Sequence, residues 1–70
     1  MSSKKRTIYY KRFQIDIAPE NLPDGKWRPR WWIWFTDEAK IFSLEEKFNS
    51  VEEADEFSEK SAKEHLDKVA

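Results

Sequence analysis

The residue types that perform chemistry in small proteins are sparse in this 70-residue chain. It contains one histidine, His65, and no cysteine. Catalysis by His65 would need a partner and a nucleophile, yet no motif places a serine for that role. As a metal ligand, His65 has Glu64 and Asp67 near it in sequence, but neither lies at i+3 or i+4 spacing on its face of a helix. Gly25 is the only glycine, which excludes a glycine-rich phosphate loop. We therefore predict a non-enzymatic protein without a metal site or a cofactor, in which His65 is a partly buried structural residue.

The segment at residues 26–35, which reads KWRPRWWIWF, has the strongest potential for binding. In a strand, Arg28, Arg30, Trp32 and Trp34 would share one face, because side chains alternate between the two faces of a sheet. Arginines beside exposed indoles are typical of single-stranded nucleic-acid binders, in which each stacked base contributes about 1–3 kcal/mol. A large exposed aromatic patch also marks protein contacts. Alternatively, the tryptophans could cover one another and the arginine stems within the monomer.

The distribution of charge helps to weigh these alternatives. Residues 1–36 carry eight Lys/Arg against three Asp/Glu, whereas residues 37–70 carry five against eleven, and the net charge is −1. An acidic second half disfavours phosphate binding, although the basic residues at positions 4–6 could reach a phosphate backbone. We predict an interaction module that binds a protein partner or forms a homodimer through Arg28, Arg30, Trp32 and Trp34. Weak binding of single-stranded nucleic acid by the same four residues is the alternative.

A sheet is needed to position these side chains, and the sequence predicts three strands. In residues 7–18, apolar Phe13, Ile15 and Ile17 alternate with polar residues, which is the period of a half-buried strand. A Pro-Asp-Gly turn at residues 23–25 should reverse the chain before a second strand at residues 27–36. That strand is apolar on both faces, and if Trp31, Ile33 and Phe35 face the core, the four residues of the predicted site lie on the open face. A third strand is expected from about residue 40 to residue 48.

One helix is predicted after the strands. Ser50 and Glu53 have the spacing of a capping box, so the helix should begin at Val51 and run nearly to the end of the chain. The predicted fold is α+β, a three-stranded antiparallel meander with one C-terminal helix packed on one face (β-β-β-α). Residues 1–6 should form a disordered basic tail and residues 7–70 a single domain. The chain contains neither a signal-peptide pattern nor about 20 consecutive apolar residues, so we expect a cytoplasmic protein that does not contact a membrane.

Three short motifs resemble a group of small bacterial proteins of unknown function. They are YKRF at residues 10–13, DGKWR at residues 24–28 and FNSVEEA at residues 48–54. The resemblance implies a β-β-β-α fold and a cytoplasmic bacterial protein, and it assigns no functional residues. The run WWIW at residues 31–34 is more aromatic than that pattern requires, so the specific property of this chain is expected to lie there.

Overall fold

The computed structural model describes residues 5–69, which form a four-stranded antiparallel sheet, a two-stranded ribbon and one helix. The elements are β1 Arg6–Tyr10, β2 Phe13–Ile17, β3 Glu20–Asn21, β4 Trp27–Arg28, β5 Arg30–Trp34, β6 Ala39–Ser43 and α1 Val51–Val69. The four-stranded sheet has the order β1-β2-β5-β6, and β3 pairs with β4. The α+β class and the single C-terminal helix are confirmed. The three-stranded meander is wrong, because the sheet has a fourth strand.

The additional strand arises from a tight turn at Lys11 and Arg12. Their φ angles are 52° and 72°, and two positive values in succession are the mark of a type I′ hairpin turn. Such turns usually carry Asn-Gly, so the sequence gives no signal for this one. The core-facing positions change from even to odd residue numbers at this turn, from Ile8 and Tyr10 to Phe13 and Ile15, because Tyr10 pairs directly with Phe13 across it. The expected continuous strand at residues 7–18 is therefore a hairpin of β1 and β2.

The hairpin of β1 and β2 also determines the residue at which the sheet begins. β1 begins at Arg6, one residue before the predicted domain boundary, because Arg6 pairs with Ile17 and its guanidinium reaches the helix. Residues 1–4 of the predicted tail lie outside the described residues.

The long connection between β2 and β5 is a second hairpin that two prolines interrupt. Pro19 and Pro29 are both fully buried, and because proline lacks an N–H the ladder breaks at each of them. The short ribbon of β3 and β4 continues the hairpin beyond the break. The predicted reversal lies at its tip, where Gly25 has a φ of +86° and the Asp24 carboxylate accepts a hydrogen bond from the Lys26 N–H at 3.0 Å.

β6 is shorter than predicted, since it ends at Ser43 rather than Phe48. The chain leaves the sheet at Leu44 and returns at Phe48, which exchanges two backbone hydrogen bonds of 2.8 Å with Trp27. The Phe48 ring then lies 5.3 Å from the ring of Phe57 on the helix. This contact anchors the ribbon and the start of α1 to each other.

The helix begins as the sequence predicts. The Ser50 hydroxyl accepts a hydrogen bond from the Glu53 N–H at 3.2 Å, and the Glu53 carboxylate accepts one from the Asn49 N–H at 3.3 Å. The first contact satisfies an N–H group that the first helical turn cannot satisfy by itself, and the second ties the residue before the N-cap to that turn.

Small side chains let the helix approach the sheet closely. Every fourth residue along α1 is buried, namely Ala54, Ser58, Ala62 and Leu66. The facing side chains of the sheet include Ile15, Ile17, Trp31 and Ile33, of which the three isoleucines are completely buried. Trp31 and Ile33 thus face the core, which the sequence alone left open, while Phe35 packs against its margin. No helix among residues 5–69 is long and apolar enough to span a membrane.

Candidate interaction surface

The two faces of the four-stranded sheet differ in what covers them. α1 packs on the face that carries Ile15, Ile17, Trp31 and Ile33. The residues that alternate with these point to the opposite side, which we call the open face. Strand register places them in two cross-strand rows, Tyr9, Gln14, Trp34 and Ala39 in the first, and Thr7, Asp16, Trp32 and Ile41 in the second. Arg30 and Ser43 follow as a paired extension beyond the second row.

Large apolar side chains on the open face are exposed to solvent. Tyr9 is 71% exposed, Ile41 59% and Trp34 46%, and Trp32 is half-buried beside Ile41. We call these four residues the aromatic patch. Monomeric soluble proteins rarely expose contiguous apolar surface unless it marks a site of contact. The open face is therefore the strongest candidate for a binding surface among the described residues.

A carboxylate is buried beneath this patch. Asp16 is only 6% exposed, and all three of its hydrogen-bond donors are neutral. The indole Nε1–H of Trp34 donates to Oδ2 at 2.8 Å, while the hydroxyl of Thr7 and the amide of Gln14 donate to Oδ1 at 2.8 Å and 3.3 Å. These contacts fix the Trp34 ring across β2, so its exposed face has a defined orientation.

The same contacts decide the ionisation of Asp16. Burial by itself raises the pKa of this carboxyl group, because a charge is less well solvated there. The hydrogen bonds from Trp34, Thr7 and Gln14, together with the charge of Lys5, outweigh burial and hold the pKa below its ordinary value. Asp16 is therefore ionised at neutral pH and places a negative charge under the aromatic patch.

Arg30 is positioned by two contacts on the same face. Its guanidinium carbon lies 5.2 Å from the centre of the Trp32 ring, and its Nε donates a hydrogen bond to the Ala18 carbonyl at 3.1 Å. A guanidinium over an indole ring gains a cation–π attraction. Of the four residues predicted to form the site, Arg30, Trp32 and Trp34 thus share the open face.

Arg28, the fourth predicted site residue, is separated from the others. It lies in β4 beyond Pro29, where its guanidinium forms an ion pair with Glu20 on the neighbouring strand β3. The proline break places it on the ribbon rather than on the four-stranded sheet. Its charge is consequently balanced within the protein.

The sequence-based site omitted Tyr9, Asp16 and Ile41. Tyr9 was missed because the turn at Lys11 and Arg12 was not predicted, so β1 was not seen as a neighbour of β2. Asp16 lies beside Trp32 across β2 and β5, and it was missed because an aspartate in an alternating strand is ordinarily exposed. The alternation of Ile41 with Phe42 is a signal that could have placed Ile41 on the open face.

Other candidate groups lie on the helix side of the sheet. His65 is half-buried, with its ring 5.1 Å from that of Phe42. Arg6 bridges Asp55 and Glu59 of α1, which lowers the pKa of Glu59 in addition to the larger effect of Lys63. Across residues 5–69, no three side chains of ligand type are arranged to hold a metal ion.

Comparison with known proteins adds no relative to these observations. The chain matches no protein-family model, and neither a curated protein nor a solved structure shows significant similarity to it. The resemblance that rests on the three short motifs therefore gains no support from these comparisons. The geometry of the open face is the basis on which a function can be proposed.

Proposed function

We propose that this chain is a non-enzymatic interaction module that binds a protein, either a partner or a second copy of itself, through the open face. The observation that supports the proposal is the aromatic patch, which lies on the face opposite the helix. Within this patch, the indole of Trp34 donates a hydrogen bond to the buried carboxylate of Asp16. Burial of such surface contributes roughly 25 cal/mol per Å² before the costs of association are subtracted.

The fixed geometry of the patch supports a binding role. A side chain that is already held in its bound orientation loses little conformational freedom when a partner arrives. Trp34 is held by its hydrogen bond to Asp16, and the guanidinium of Arg30 lies over the ring of Trp32. Rigid aromatic side chains of this kind are enriched among the residues that dominate binding energy at protein interfaces.

The charges near the face favour protein over nucleic acid as the ligand. Arg28 pairs with Glu20, and Arg6 and Lys11 pair with carboxylates of the helix on the other side of the sheet. Asp16 adds a negative charge beneath the patch. A surface that tracks a phosphate backbone instead needs several cations along the path of the strand.

One observation favours single-stranded nucleic acid as the second candidate. Arg30 lies against Trp32, and the exposed ring of Trp34 is two residues away on the same face. This arrangement could stack bases, with Arg30 and Lys5 near phosphates. Its test is a titration with short oligothymidine at low salt, followed by NMR. Shifts confined to Trp32 and Trp34, and their loss at higher salt, would favour this candidate; an unchanged spectrum would eliminate it.

The main proposal is tested by a pair of matched lysine substitutions. Ile41→Lys places a charge in the aromatic patch, while Val69→Lys places one on an apolar residue of equal exposure near the end of α1. Both variants should fold, because both side chains are largely in solvent. We expect Ile41→Lys, but not Val69→Lys, to lose the association that the wild type shows by sedimentation and by affinity capture from cells of its source. Equal association by all three proteins would refute the proposal.

A further inference from the structure

We propose that the outer edge of β6 accepts an extended peptide segment of a partner protein as a fifth strand, antiparallel to β6, and that this segment carries two consecutive apolar residues followed by a carboxylate. The inference rests on the proposed role of the chain as a protein-binding module. It adds the place at which the partner joins the sheet and the sequence pattern that this edge selects.

The first observation is a row of unpaired backbone groups along β6. The Phe35 N–H donates to the Glu38 carbonyl at 2.7 Å across the turn between β5 and β6, and such hydrogen-bonded pairs recur at every second residue of an antiparallel ladder. The backbone groups of Lys40 and Phe42 therefore bond to β5, whereas those of the alternate residues point outward and have no partner among residues 5–69. These outward residues are Ala39, Ile41 and Ser43. Donors and acceptors repeated at roughly 7 Å are matched by the backbone of another extended chain.

The second observation is that the opposite edge of the sheet is guarded by charge. Beside β1, Arg6 forms ion pairs with Asp55 and Glu59 of the helix, and Lys11 forms one with Asp67. Charged side chains next to a sheet edge disfavour the addition of another strand. An incoming peptide is therefore directed to β6 rather than to β1.

The helix side of the β6 edge contains no such ion pairs. Along α1, Phe57, Ser61 and His65 recur at i+4 spacing, and all three are half-buried. The His65 ring lies 5.1 Å from the ring of Phe42 in β6. The Phe57 ring lies 5.3 Å from that of Phe48, where the chain returns to the sheet. This side of α1 presents no carboxylate to an added strand and leaves room for apolar contacts.

The side chains of β6 define the pattern of the peptide, because residues that pair across two strands lie on the same face. Ile41 is 59% exposed on the open face, and Phe42 is half-buried on the helix side, so each favours an apolar residue opposite it. The Lys40 ammonium lies 5.8 Å from the centre of the Phe35 ring and forms no ion pair within the described part of the chain, so it favours a carboxylate. In an antiparallel peptide the three residues follow one another as apolar, apolar and acidic.

A second copy of this chain fits the edge less well than such a peptide. The two-fold pairing that overlaps all five residues of β6 is centred on Ile41 and sets Lys40 opposite the partner's Phe42. No carboxylate then reaches the ammonium group. Charge complementarity therefore favours a different protein as the occupant.

The probe is the heptapeptide Lys-Thr-Phe-Ile-Glu-Thr-Lys with blocked termini, which sets its three central residues opposite Phe42, Ile41 and Lys40. Its control is the same peptide with an N-methyl group on the isoleucine, which keeps every side chain but removes the N–H that donates to the Ile41 carbonyl. In an NMR titration, we expect the unmethylated peptide alone to shift the amides of β6 and to slow hydrogen exchange at Ile41. A third peptide, with glutamine in place of glutamate, should bind several-fold more weakly at low salt.

Two variants of the protein test the same contact from the other side. Ser43→Pro and Ser43→Ala both remove an exposed hydroxyl, but only the proline removes an outward N–H. Both should keep the wild-type spectrum outside β6, because this N–H takes no part in the ladder with β5. We expect Ser43→Pro to lower the affinity for the peptide at least about tenfold and Ser43→Ala to leave it unchanged.

Equal affinity of the two Ser43 variants, binding of the N-methylated peptide, or a lack of shifts at millimolar peptide would overturn the proposal. Equal affinity of the glutamate and glutamine peptides would overturn its acidic position. Shifts in β6 that grow with chain concentration in the absence of peptide would identify a second copy as the occupant instead. If the edge fails, partner capture that is lost in Ile41→Lys but retained in Ser43→Pro would leave the open face as the binding surface, whereas capture unaffected by either variant would refute both proposals.

Discussion

Removal of the Asp16 carboxylate is the perturbation that most directly probes how the open face is held. Asp16→Ala deletes the acceptor of three hydrogen bonds, whereas Asp16→Asn keeps the size of the side chain and removes its charge. In the asparagine variant, the amide oxygen can still accept from Trp34. The amide nitrogen can donate to Thr7 and Gln14, because a hydroxyl can rotate and a glutamine amide can flip.

The expected decrease in the free energy of unfolding follows from the hydrogen bonds that each variant keeps or loses. A hydrogen bond to a charged group contributes about 1.5–3 kcal/mol to stability and a neutral one about 0.5–1.5 kcal/mol. Asp16→Asn loses the charge-assisted part of three bonds but also relieves the burial of a charge, so we expect a loss of about 1 kcal/mol. Asp16→Ala leaves three donors without their acceptor, though Trp34 and Thr7 can reach water, so we expect a loss of about 2–3 kcal/mol.

Urea unfolding of the three proteins measures these differences in the free energy of unfolding. The indole N–H resonance of Trp34 gives a second observable, and it should move furthest in Asp16→Ala. Equal stability of wild type and Asp16→Ala, or an unchanged Trp34 resonance, would show that the carboxylate does not hold the indole.

Three further predictions concern the turn, the core and the response to acid. Arg12→Gly should stabilise the fold by up to about 1 kcal/mol, because glycine adopts the observed positive φ without strain; destabilisation in urea would contradict the turn. Leu66→Ala should lower the free energy of unfolding by about 2–5 kcal/mol, because Leu66 is fully buried. A decrease in melting temperature no larger than that caused by substituting an exposed residue would contradict its place in the core. The lowered pKa of Asp16 means that its contribution to stability is complete above about pH 4 and is lost as pH falls further, through its folded-state pKa. Asp16→Asn should therefore lose less stability than wild type on acidification, and identical pH profiles would refute that role.

The sequence predicted the parts of the fold that local signals determine. Ser50 and Glu53 located the helix start, and alternation divided β5 into two faces, although both are apolar and the sequence left open which one is buried. The turn at Lys11 and Arg12 was missed because neither residue is one that usually adopts positive φ, and because the strand indicated by Phe13, Ile15 and Ile17 was extended back to residue 7.

The error in the first strand also limited the predicted site. Arg30, Trp32 and Trp34 share a face because alternation along one strand requires it, whereas Arg28 is displaced by the break at Pro29. Tyr9 joins the face only through the register of β1 and β2, which depends on the turn, whereas the register of β2 and β5 places Asp16 beside Trp32. The burial of Asp16 could not be predicted, since an aspartate in an alternating strand is ordinarily exposed.

The measurement that tests the central claim most directly is the NMR amide and indole spectrum of the wild type over a wide range of chain concentration. If the open face is the surface of association, shifts will appear at Tyr9, Trp32, Trp34 and Ile41, will be absent from the solvent side of α1, and will disappear in Ile41→Lys. Concentration-dependent shifts that map to α1 instead, or that persist in Ile41→Lys, would contradict the assignment of the open face as the binding surface.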